Sequence, residues 1–170
     1  LDEPIFVAKR AKNAQKVRQL EQQQRQANEQ LGTVRQDAIR TYATLVQDHP
    51  DYRRMDEVLF SLAFGLEELR QYDRARQVYH RLIKGFPQSR FVPHAYLSFA
   101  EYYFGDGQMR EALQFYEKVV EFPAERNPVY GYALYKMAWA AYNLEDYRGA
   151  LQKFVETIEF SQSHPEARDV

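Results

Sequence analysis

Four segments of the sequence repeat one pattern: "DAIRTYATLVQDHP", "DRARQVYHRLIKGFP", "REALQFYEKVVEFP" and "RGALQKFVETIEF" each place an aromatic residue four positions after an alanine. The anchors are Ala38/Tyr42, Ala75/Tyr79, Ala112/Tyr116 and Ala150/Phe154, at steps of 37, 37 and 38 residues. A fixed period of this size means that each repeat is one supersecondary unit, burying its apolar face only against its neighbours. The spacing within each segment is helical. Pro50, Pro87 and Pro123 close the first three helices, because proline lacks an N–H and its ring clashes with the preceding turn.

Upstream of the last three segments runs a second helical stripe: Leu59, Leu62, Leu66; then Tyr96, Phe99, Tyr103; then Leu134, Met137, Ala141. A small residue follows each middle anchor, at Ala63, Ala100 and Ala138. Small side chains there, facing Ala75, Ala112 and Ala150, let two helices approach closely. The links "RQYDR", "GDGQMR" and "LEDYR" have a length normal for antiparallel neighbours. Gly105 and Gly107 therefore relieve a turn and do not form a phosphate-cradling loop.

These pairs resemble the tetratricopeptide repeat, whose first helix carries a large apolar residue, then Leu-Gly, then Tyr, and whose second carries Ala-x3-Phe and a closing Pro. The resemblance spans about residues 37–165, as three full helix pairs and a leading half repeat. It implies an all-α, right-handed solenoid of antiparallel helix pairs. A plain helix bundle would show the same stripes but has no need of the period. The repeat is about three residues longer than 34, through insertions such as "DYRRM" and "QSRFV", and Pro165 arrives late; both bear on the superhelical pitch.

Residues 1–36 differ. The stretch "VRQLEQQQRQANEQLGTVRQ" consists of good helix formers and predicts a long, Gln-rich N-terminal helix preceding the array. Val17, Leu20, Gln24, Ala27, Leu31, Val34 and Ala38 alternate spacings of three and four, a coiled-coil seam weakened by Gln24 and two alanines. Self-association through this helix and a solvated helix docking only its C-terminal half on the array both fit; a flexible linker fits less well. Residues 166–170 read as the start of a further helix, so the chain is expected to be a segment of a longer protein.

Several chemistries are disfavoured. Without cysteine there is no disulfide, thiolate metal site or Cys nucleophile. The net charge of −1 argues against a nucleic-acid binder. No apolar run approaches the roughly 20 residues of a membrane span, and "LDEPIFVAKR" lacks the order of a signal peptide. His49, His80, His94 and His164 lie in different repeats without metal-ligand spacing. Glu67, Glu68 and Glu101 read as helical surface charges, and no nucleophile motif accompanies them. The expectation is a chain with no enzymatic activity, cofactor or metal.

In the family, the first helices of successive pairs line the concave side, so the resemblance makes their off-core residues candidate partner contacts. These are Glu57, Phe60, Phe64 and Glu67; then His94, Leu97, Glu101 and Phe104; then Tyr132, Tyr135, Trp139 and Tyr142. So many aromatics on one strip point to a protein or peptide partner, since Tyr and Trp dominate interface hot spots. Burial between repeats, under the N-terminal helix or under a following repeat is the competing account of the same rings. Family members that clamp a C-terminal carboxylate carry Lys and Asn on successive first helices; the matching positions here do not, and Lys136 stands alone. An apolar or amphipathic segment is the expected ligand.

The "LIKGFP" endings after a Gln-rich helix also resemble bacterial envelope proteins. They are similar to the coiled-coil-plus-repeat periplasmic protein of the Tol-Pal system and to the repeat lipoprotein of the outer-membrane β-barrel assembly machine. "ALYKMAWAAYNLEDYRGAL" is similar to repeat proteins of deltaproteobacterial gliding motility. The resemblance implies a noncatalytic scaffold in a periplasmic or outer-membrane complex, the alternative being a self-assembly module built on the N-terminal helix.

Overall fold

The computed structural model describes residues 14–164; the expectations for "LDEPIFVAKR", Pro165 and residues 166–170 lie outside them. The described residues form seven α-helices: α1 (Ala14–Asp48), α2 (Met55–Glu68), α3 (Tyr72–Gly85), α4 (Val92–Gly105), α5 (Met109–Val120), α6 (Tyr130–Asn143) and α7 (Tyr147–Ser163). A short 3₁₀ turn, Ala124–Arg126, precedes α6. Every substantial helix–helix contact joins helices consecutive in the chain, as in a solenoid. The pairs are α2/α3, α4/α5 and α6/α7.

The small-residue reading accounts for the pairing. Ala63, Ala100 and Ala138 of the first helices are fully buried, and so are Ala75, Ala112 and, within 2% exposure, Ala150 of the second. With no side chain beyond Cβ, the backbones come together at these points. Larger residues fill the space on either side: Leu59, Leu62 and Leu66 in the first pair, Leu134 and Met137 in the third. The buried residues gather into two cores. One joins α1, α2 and α3 and ends at Ala95; the other begins at Ala100 and runs into α6.

All three turns within pairs share one backbone solution. Arg70, Gly107 and Glu145 occupy the same repeat position, each with positive φ (58°, 77° and 63°). After each, a backbone N–H reaches back to close the preceding helix: Gln71 to Leu66 O (2.8 Å), Gln108 to Tyr103 O (2.9 Å) and Asp146 to Ala141 O (3.0 Å). This is a Schellman closure, which favours glycine because a Cβ is strained in the left-handed region. Only the middle turn uses one. Between pairs, Ser89 and Asn127 are again equivalent, and each side-chain oxygen accepts from the N–H two residues on, at Phe91 (3.3 Å) and Val129 (3.2 Å).

No break marks the expected boundary at residue 36, because α1 is one 35-residue helix. Its C-terminal half docks on α2 through Ile39 and Val46, both 8% exposed. The contact is close: a Cβ at Gly65 would lie 3.0 Å from Ile39 Cγ1. Arg35 adds an ion pair to Glu68. Ala38, the repeat equivalent of the buried Ala75, is instead exposed, since the leading half repeat has no first helix packed on it. Leu31 (47% exposed) and Val34 (64%) lie open along the same seam.

Candidate protein-interaction face

The three first helices present four equivalent levels. From the N-terminal end these are Glu57/His94/Tyr132, Phe60/Leu97/Tyr135, Phe64/Glu101/Trp139 and Glu67/Phe104/Tyr142. In the first two pairs most of these side chains already have partners within the chain.

At the fourth level, Glu67 accepts the Tyr79 hydroxyl (2.9 Å) and the Ser98 hydroxyl, joining α2 to α3 and to α4. In the second pair, one level up, Glu101 accepts the Tyr116 hydroxyl (2.5 Å) and pairs with the Lys136 ammonium (3.0 Å), joining α4 to α5 and to α6. Lys136 also stands 3.8 Å from the centre of the Phe104 ring, a cation–π contact. Burial, then the neighbouring carboxylate, pushes the Tyr79 phenol up; the same causes act on Tyr116. Both phenols stay protonated donors. Two carboxylates expected to meet a partner are thus committed to holding pairs together.

The apolar members of these two pairs are similarly engaged. Phe60 stacks on Phe91 (4.6 Å between ring centroids), with His94 edge-on at 5.5 Å. His94 is half-buried, its Nδ1 has no hydrogen-bond partner, and burial holds its pKa below the usual 6.5. Leu97 and Phe104 pack against the second core. Tyr132 is half-buried and its phenol is raised, by burial first and then by Glu101. Glu57 pairs with Arg54. Only Phe64, 52% exposed, stands open in this half of the face.

The third pair is different. Tyr135 (42% exposed), Trp139 (37%) and Tyr142 (50%) lie side by side and accessible. They meet edge to face, with ring centroids 6.2 Å apart for Tyr135–Trp139 and 5.8 Å for Trp139–Tyr142. Phe154 of α7 supports the group from below, 5.5 Å from Trp139 and 6.3 Å from Tyr135. Phe154 occupies the position of Tyr79 and Tyr116, but it has no hydroxyl to donate and faces no carboxylate. An aromatic pad replaces the polar tie. Because its rings lock one another on a helix, they reach a partner at little entropic cost.

Sequence reasoning missed two members of this surface. Tyr147 is 60% exposed and lies 5.4 Å from Tyr142, extending the pad onto α7. It was hidden in "LEDYR", a segment read only as a turn. Tyr102 is 42% exposed beneath the Arg76 guanidinium, 3.8 Å away. Away from the pad, a hollow of about 530 Å³ is lined by Arg90, Phe91, His94, Arg126, Phe160 and His164. Nothing in the sequence pattern marks it, because its walls come from the links before α4 and α6 together with α4 and the end of α7.

A family model described as tetratricopeptide repeat matches residues 57–89 and 132–159, which fall on the first and third pairs. Those two stretches are matched as tetratricopeptide repeats. Similar solved structures include a MamA RS-1 ArsTM double mutant (16% identity, TM-score 0.40, covering 76% of this chain and 86% of that one). Another is MamA 41-end from Desulfovibrio magneticus RS-1 (17% identity, TM-score 0.39, covering 85% and 95%). No curated protein matches the chain. A tetratricopeptide-repeat array is a protein–protein interaction scaffold, a noncatalytic type of fold. Among the described residues no helix is long and apolar enough to cross a membrane.

Proposed function

We propose that this tetratricopeptide-repeat chain is a noncatalytic scaffold that captures an apolar or amphipathic protein segment on its first-helix face, and that the third pair supplies the main contact. The observation that carries this reading is the open pad of Tyr135, Trp139 and Tyr142, beside two pairs whose polar groups are tied internally. Burying such rings against a partner contributes on the order of 2 kcal/mol or more each at a hot spot. The resemblance to envelope repeat proteins supports a periplasmic or outer-membrane setting, with motility or outer-membrane assembly as the kind of machinery served.

The test is an affinity capture from native envelope extract with wild type, Trp139→Ala and Tyr135→Ala side by side, each checked for helicity and melting. A partner held by wild type and lost by both folded variants is the expected result. Equal capture by all three would sink the reading. A second reading, self-association through α1, is favoured by the open seam at Leu31, Val34 and Ala38, and it predicts that Leu31→Glu yields a monomer.

A further inference from the structure

The last helix carries an apolar stripe that is exposed along its whole length. Tyr147 (60% exposed), Leu151 (65%), Val155 (44%) and Ile158 (56%) follow spacings of four, four and three, so they share one outward face of α7. The counterparts of Leu151 and Ile158 are Arg76 and Ile83 in the first pair and Leu113 and Val120, both packed on the second core, in the second. Arg76 lies over Tyr102 of the next first helix, and Ile83 packs on the first core. The counterparts of Val155 are His80 and Glu117, which stay exposed and polar although another pair follows each of them. Conversely, Leu82 and Val119, fully buried in the inner helices, correspond to Thr157. Val155 thus extends the apolar face of α7 past the positions that meet a following pair, while Thr157 stands where the inner helices bury Leu82 and Val119.

The charges beside this stripe indicate what fits it. At about 100° per residue, Arg148 and Glu159 fall within about 20° of each other, on the same flank of the stripe and roughly 16 Å apart along the axis. Both are exposed, and among the described residues neither forms an ion pair, whereas Lys153 and Glu156 pair with each other. In an antiparallel pair of identical helices related by a two-fold axis, like flanks meet. A two-fold axis near residue 153 sets Leu151 level with Val155 of the other copy, and Tyr147 beside the other Ile158. The same axis sets Arg148 opposite the other Glu159. Three separate features thus share one axis.

We infer that the outward face of α7 is a homodimerisation surface, in which two copies of this chain pack antiparallel through Leu151 and Val155 with the Arg148–Glu159 bridge made twice. A single helix face buries less than the ~800 Å² per partner of a standard interface, so the dimer forms reversibly at roughly 10–200 µM. This surface shares Tyr147 with the partner-binding pad, but Leu151, Val155, Arg148 and Glu159 lie outside the pad.

Sedimentation velocity on the 170-residue chain across that concentration range tests it. Wild type shifts from monomer to dimer; Val155→Glu stays monomeric with unchanged helicity. Arg148→Glu and Glu159→Arg each weaken association about tenfold, since every like-charge contact occurs twice. The double variant R148E/E159R rebuilds both bridges with reversed sign and returns to within about threefold of wild type. Tyr135→Ala and Leu31→Glu leave the dimer intact. The inference is overturned by a wild type that remains monomeric throughout, or by a double variant no better than the singles. It is equally overturned by a dimer abolished by Leu31→Glu and untouched by Val155→Glu.

Discussion

The second and third pairs occupy equivalent places in the array and use the same anchor position for opposite purposes. In the second, Tyr116 is fully buried and donates to Glu101, which also holds Lys136 of the following pair. In the third, Phe154 is half-buried beneath rings that face outward, with Trp139 where Glu101 would be. One hydroxyl and one carboxylate separate a closed junction from an open surface. The repeat specifies the helix pair; the off-core residues decide whether its face is tied down or offered.

That contrast can be broken by experiment. The largest effect is expected at Tyr116→Ala, which empties a fully buried aromatic site and costs about 3–5 kcal/mol, read from denaturant unfolding. Phe154→Ala should cost clearly less, because its ring is only half-buried. Equal losses would mean the third pair is closed as tightly as the second.

A smaller effect is expected at Glu101→Leu. It leaves the Tyr116 hydroxyl and the mostly buried Lys136 ammonium without their acceptor, at a cost of about 1–3 kcal/mol. Trp139→Ala, at the equivalent place, should stay nearer 1 kcal/mol because it removes a partly exposed ring. Reversal of that order would show that the pad, and not the polar tie, stabilises the array.

The smallest effect is a pH dependence confined to the second pair. His94 is held below 6.5 by burial, so the unfolded chain binds a proton more readily than the folded one. Stability from this group is therefore complete above about pH 6.5 and is lost as pH falls from there through the lower folded value. Melting curves between roughly pH 7.5 and 5 should show a decline that His94→Leu flattens. The same slope in wild type and variant would remove His94 as the source.

The period and the small-residue positions carried most of the architecture: Ala63, Ala75, Ala100, Ala112, Ala138 and Ala150 are all where helices touch. Spacing can reveal this because a close approach admits little else. Ala38 has the same sequence signature and is exposed, since burial there needs a first helix that the leading half repeat does not supply. The face itself was harder to read. Glu67 and Glu101 look like free surface charges until the buried hydroxyls of Tyr79 and Tyr116, 12 and 15 residues away in sequence, come to meet them. Periodicity marks which residues point off the core; it does not report which of them find one another across a pair. The stripe on α7 carries no mark in the period, because the repeat anchors report the core side of each second helix and not its outer side.

The two cores meet inside a helix and not at a loop. Ala95 closes the first and Ala100 opens the second, both on α4, and Phe91 and Phe99 pack on the first core while Leu97 and Tyr103 pack on the second. Helix α4 is thus a party wall shared by both halves. A shortened form cut at the loop near residue 88 would strip the N-terminal half of one side of its core and leave the second core whole with α4. Any stable fragment, from either end, must take α4 with it, and protease nicking in that loop should cleave the chain without letting its halves come apart.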